Sequence, residues 1–146
     1  MTKIIYTLCI FATLSFTACG QSKAKQDTEE TKQSSTKNNK MDTSKLTNET
    51  VKKAFVAWQN GDSKTFLSYF TDDAKLFDDG NSRDFSKFVK DACGHEKFTS
   101  IDKVENNGLD IMGNFHTESW GDFKTYFKFQ INAEGKINRL DIGQAH

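Results

Sequence analysis

From Thr47 onward the apolar positions first recur with a helical period. Val51, Ala54, Phe55 and Trp58 stand at i, i+3, i+4 and i+7, which is one face of a helix. Thr47 or Asn48 can cap its start, Glu49 suits the first turn, and Gly61 can end it. Asp62 then opens a second, shorter helix with Phe66, Leu67, Tyr69 and Phe70 facing inward. The stretch 74–77, "AKLF", predicts a short strand that enters a turn at "DDGNS". A third helix follows Ser82, with Phe85, Phe88, Val89 and Ala92 on one face and Gly94 at its end.

Beyond that helix the period falls to two. Leu109, Ile111 and Phe115 alternate with Asp110, Met112, Asn114 and His116. In "DFKTYFKFQI" Phe123, Phe127, Phe129 and Ile131 share one face, and Lys124, Tyr126, Lys128 and Gln130 share the other. "NAEGK" reads as a hairpin turn with Gly135 free to take positive φ, and "INRLDIG" closes the sheet with Leu140 and Ile142. Strands apolar on one face need a cover, and three amphipathic helices can supply it, so the class is α+β.

The N-terminal third has another pattern. "MTKIIYTLCIFATLSFTAC" has a basic start, an apolar run from Ile4 to Phe16 and small residues before Cys19. The run is too short for a spanning helix of roughly 20 residues but suits a signal-peptide core. Residues 20–45 contain no aromatic residue and are rich in Lys, Gln, Ser, Thr and Asn. Such a segment buries too little apolar area to offset the entropy of ordering, so it is expected as a disordered tether with a mean reach of about 25–30 Å. The expected division is therefore 1–18 signal peptide, 19–45 tether and 46–146 folded domain.

The domain carries 11 of the 13 phenylalanines, and its 13 basic residues meet 16 acidic ones. It lacks the basic footprint of a phosphate-backbone binder, which excludes nucleic acid as an expected partner. Three histidines, His95, His116 and His146, are scattered without metal-ligand spacing, and "GHE" reads as a solvated helix exit. There is no nucleophile elbow and no phosphate-cradling glycine loop, so neither a metal nor a cofactor is expected.

Cys19 with the following Gly20, Gln21 and Ser22 resembles a bacterial lipoprotein box, departing from the usual pattern in having Phe16 three residues before the cysteine. The resemblance implies that Cys19 is acylated and becomes the first mature residue. Two or three acyl chains give the stable membrane attachment that one chain does not. Cys9 then leaves with the signal and only Cys93 remains free, so no intrachain disulfide is expected, and Cys93 reads as a small buried apolar residue. The expected location is the bacterial cell envelope, membrane-anchored, periplasmic or surface-facing.

The order helix, "NGD", helix, "FTDDAKLFDDG", third helix, long strands and a final "EGKI" hairpin resembles the nuclear transport factor 2-like superfamily, with its SnoaL-like and ketosteroid-isomerase branches. The resemblance covers residues 46–146. It implies a cone in which a curved antiparallel sheet wraps three N-terminal helices and leaves a pocket at the open end. In the isomerase branch the pattern D-D-A-x-x-x-D ends in the general base, which "DDAKLFD" places at Asp78. The oxyanion tyrosine of that branch falls on Ala54 and the partner acid near Lys124, and neither can do that work.

Since one fold hosts many functions, the residues must decide. The favoured expectation is a non-catalytic domain that binds a small apolar molecule or a peptide, with Trp58, Tyr69, Phe70 and Asp78 at the pocket; core packing is the plainer account of Trp58 and Tyr69, and satisfying backbone N–H groups of the turn that of Asp78. The alternative is a cofactor-free enzyme with Asp78 as general base. Met112, His116 and Tyr126 on the outer sheet face are the expected surface for a homodimer.

Overall fold

The computed structural model describes residues 41–146; the expected signal peptide, Cys19 and most of the expected tether lie outside them. Contacts with the folded residues begin before residue 46. Met41 packs against the core, Lys45 donates to the Ile101 carbonyl, and Leu46 is buried.

Helix α1 (Glu49–Gln59) is capped by Asn48, whose side chain accepts from the Val51 N–H. It buries Val51, Ala54, Phe55, Ala57 and Trp58, the expected face. Helix α2 (Ser63–Ser68) is capped by Asp62, and α3 (Phe85–Ala92) by Asp84. Gly61 and Gly94, both at positive φ, let the α1–α2 corner meet the end of α3: a Cβ on Gly61 would stand 3.0 Å from the Gly94 Cα.

The curved sheet has the order β2–β1–β7–β6–β5–β3, with β4 also on β5. Its strands are β1 (Phe70–Asp78), β2 (Asn81–Arg83), β3 (Glu96–Phe98), β4 (Lys103–Glu105), β5 (Asp110–Thr117), β6 (Gly121–Ile131) and β7 (Ile137–Gln144). Burial alternates along β5, with Ile111, Gly113, Phe115 and Thr117 inward, and β6 buries Thr125, Phe127 and Phe129 on the face expected.

Three features depart from expectation. The sheet is antiparallel except that β1 runs parallel to β7. Local alternation carries no information on which distant strand becomes a neighbour, and that pair joins residues some sixty positions apart. Secondly, α2 stops at Ser68, and Tyr69 is its cap; Phe70 already starts a nine-residue strand, with the Tyr69 carbonyl accepting from the Ile137 N–H. Polar "TDD" hides that strand because only Phe70 and Leu76 of it are buried. Lastly, β2, β3 and β4 have three residues each, too few for a period to show.

The core is aromatic. Phe55 packs on Phe98, and Trp58 meets Phe66, Phe88 and Phe127, with centroids between 5.2 and 5.7 Å. Such offset and edge contacts add about 0.5–1.5 kcal/mol per pair beyond area burial.

Candidate functional site

A cavity of about 740 Å³ opens where β1, β5 and β7 end and β6 begins, beside α3. Its floor is apolar: Phe88, Phe115, Phe123, Phe127 and Ile142. Each of the two threonines among them has one hydrogen bond within the protein. Thr125 donates its hydroxyl to the Gly143 carbonyl at 2.8 Å, and the Thr117 hydroxyl oxygen accepts the Trp120 N–H at 2.9 Å.

Charge rings the mouth. Asp78, the last residue of β1, stands 3.8 Å from the Arg83 guanidinium. Its neighbour Asp79, at φ 45°, donates its N–H to the Ile142 carbonyl and accepts the Gln144 N–H at 3.0 Å on its carboxylate. Backbone capping, one expectation for Asp78, thus falls to Asp79, which can take the left-handed turn conformation. Gly143 makes room for this: a Cβ there would overlap both Asp79 Oδ1 and the Tyr126 hydroxyl. Burial, together with the charges of Asp79, Asp141 and Asp78, pushes the Tyr126 phenol up.

On α3, Asp84 accepts the Lys87 N–H as a cap, and Asp91 pairs with the Lys87 ammonium. That contact holds Asp91 below the usual carboxylate range and Lys87 above its own. Glu96 differs from these acids. It opens β3 opposite Thr117 and is partly buried in the lining. Burial raises its carboxyl above the usual glutamate range, the Asp78 charge adds to this, and His95 opposes it. The "GHE" string is therefore no simple solvated exit, because a three-residue pairing with β5 turns Glu96 inward.

Of the four pocket residues expected from sequence, Asp78 alone lines this cavity. Trp58 is only 1% exposed and stacks beneath Phe88 at 5.7 Å, supporting the floor without reaching it, and its indole N–H has no partner. Phe70 lies in the core between Phe66 and Phe85. Tyr69 lines a separate shallow groove with Lys53, Asn60 and Thr65. The error came from extending α2 past Ser68, which carried both aromatics onto a helical face they do not occupy. Glu96 and Arg83 left no usable signal in the sequence, because both belong to three-residue strands.

Trp120, at the β5–β6 turn, is 79% exposed and stands at the cavity mouth. Cys93 is buried, and burial with the Asp62 charge pushes its thiol up, away from the reactive thiolate. Among the described residues no three His, Cys, Asp or Glu side chains converge as a metal ion requires.

With this geometry the chain can be set beside known proteins. No protein-family model and no curated protein matches it. Solved structures do. A nuclear transport factor 2-like protein of unknown function from Cytophaga hutchinsonii is 14% identical, with a TM-score of 0.56 over 72% of this chain and 95% of that one. A candidate ketosteroid isomerase from Kribbella flavida is 12% identical, with a TM-score of 0.55 over 69% and 78%. An uncharacterized cystatin-fold protein from Novosphingobium aromaticivorans is 18% identical, with a TM-score of 0.52 over 64% and 94%. The α+β fold with its curved sheet is thus one this chain shares with nuclear transport factor 2-like and cystatin-fold structures. At these identities the likeness establishes architecture and leaves the chemistry to the site.

Proposed function

We propose that this chain is a lipid-anchored cell-envelope protein whose cone domain binds a small, largely apolar molecule and performs no catalysis on it. The observation that carries the reading is the cavity itself: a largely aromatic floor whose two threonine hydroxyls each bond within the protein, ringed by charge. Such a site buries a ligand's apolar body while a few polar groups orient it. The sequence before Cys19 supports the anchor, and the tether gives the domain reach above the lipid surface.

Ala54 is fully buried in α1, and the Lys124 ammonium pairs with Asp102. Neither position offers the cavity a donor for developing negative charge, and Asp78 already has a cationic partner. These placements favour binding over the isomerase-type alternative. The outer face around Met112, His116 and Tyr126 carries the His116–Asp122 contact and the Lys128 ammonium over the Tyr126 ring. Pairing of two copies through it is compatible with ligand binding.

Native mass spectrometry of the full chain, purified in mild detergent from its own host, tests the binding reading. A mass lost on denaturation supports it and sizes the ligand. A bare dimer shifts the assignment to an association module. Cys19→Ala is expected to release the chain from membranes, and undiminished membrane retention overturns the anchor.

A further inference from the structure

Resting on the binding reading, the geometry points to a ligand of one chemical class: a small organic cation, an ammonium or guanidinium carried on an aromatic-sized apolar body. The charge lining the cavity is unbalanced, with five carboxylates, Asp78, Asp79, Asp84, Asp91 and Glu96, against Arg83 and Lys87. A mouth of one dominant sign over low-dielectric walls concentrates the opposite charge.

Four of those acids are already engaged. Asp78 faces Arg83, Asp79 accepts the Gln144 N–H, Asp84 caps α3, and Asp91 holds Lys87. The Glu96 carboxylate makes no side-chain hydrogen bond or ion pair among the described residues, although its backbone pairs with Thr117. His95, beside it in sequence, has its ring directed to Glu118 at 3.3 Å. A carboxyl left partly buried without a partner costs stability, and an incoming cation would offset both its desolvation and the nearby Asp78 charge.

Trp120 supplies the second element. Its backbone N–H is fixed to Thr117, the residue that also pairs with Glu96 across β3 and β5. Thr117 thus ties an exposed indole and an unpaired carboxyl to the same edge of the cavity. An indole face over a cation is the strongest of the aromatic cation contacts. A carboxylate ligand would meet the excess of acids, and a neutral apolar one would leave Glu96 unpaired.

Three probes with similar bodies test this: phenethylammonium, phenylpropanol and phenylpropionate, titrated by calorimetry at neutral pH into the full chain in detergent. The cation is expected to bind about tenfold more tightly than the alcohol, the scale of one charge-assisted contact. Glu96→Gln is expected to remove that advantage, bringing cation and alcohol to similar affinities. Trp120→Ala is expected to weaken the cation about threefold to tenfold. Glu96→Lys, if folded by circular dichroism, is expected to reverse the preference toward phenylpropionate. Equal affinity for cation and alcohol, preference for the anion, or indifference of the cation to Glu96→Gln each overturns the cation assignment and leaves the cavity as a binding site. If none of the three binds, the cation assignment falls and the binding reading then rests on the mass spectrometry alone.

Discussion

Phenylalanine and tryptophan serve two purposes in this molecule, and the contrast lies between the aromatic core under α1 and the cavity beside α3. Under α1 each ring is enclosed by others: Trp58 touches Phe66, Phe88 and Phe127, and Phe98 touches Phe55, Phe115 and Phe127. At the cavity the floor continues through Phe115 and Phe123 on the sheet and Phe88 on α3, but it opens to solvent and the residues around the mouth are charged. The residue type is nearly the same in both places. What differs is the cover, so core and site are two fates of one apolar sheet face.

The largest test of that contrast is Trp58→Ala, which removes a ring packed on three sides. It is expected to cost about 3–5 kcal/mol in urea unfolding. Phe123→Ala at the cavity is expected to cost only about 1–2 kcal/mol, because the ring is part exposed already. Equal losses would erase the distinction between core and site. Gly143→Ala sharpens it from the rim: the new methyl meets Asp79 and Tyr126, and about 1–3 kcal/mol should be lost in the same measurement. Asp84→Ala, which deletes the cap of α3 beneath the mouth, is expected to cost about 1 kcal/mol.

The smallest effect concerns Glu96 and pH. Burial favours the neutral acid, so the folded chain holds this proton more tightly than the unfolded chain does. As pH rises from the ordinary glutamate value through the raised folded one, the folded state must release the proton, and stability falls. Asp42, Asp62, Asp91 and Asp102, all lowered, act in the opposite sense and lose stability as pH falls. The difference between wild type and Glu96→Gln isolates the one from the others. The variant is expected to melt higher at neutral pH and to match wild type in acid. A variant that melts lower at neutral pH would show Glu96 to be a structural partner, not an unpaired acid.

Much of the fold was legible because its signals are local. The cap at Asn48, the face running from Val51 to Trp58, and the alternation in β5 and β6 each need only a few consecutive residues to be read. Their order sufficed for the α+β class, and the cone was what the family resemblance implied. The site was legible at one residue, Asp78, which the string "DDAKLFD" marked. Trp58 read as core or as pocket wall and is the layer under that wall, since a helical period gives the inward direction but not the depth.

What the sequence determined by itself is therefore α1, α3 and the long strands β5 to β7 with the apolar face of each, and the contrast between a polar segment at 20–45 and an aromatic domain. Tertiary structure alone decided that β1 lies parallel to β7, that Asp79 and not Asp78 caps the backbone, and that Glu96 faces the cavity unpaired while its fellow acids are engaged. The physical reason is common to all three. Each depends on which groups meet across long stretches of chain, and pairing over such distances leaves no period, cap or turn residue in the segments that take part.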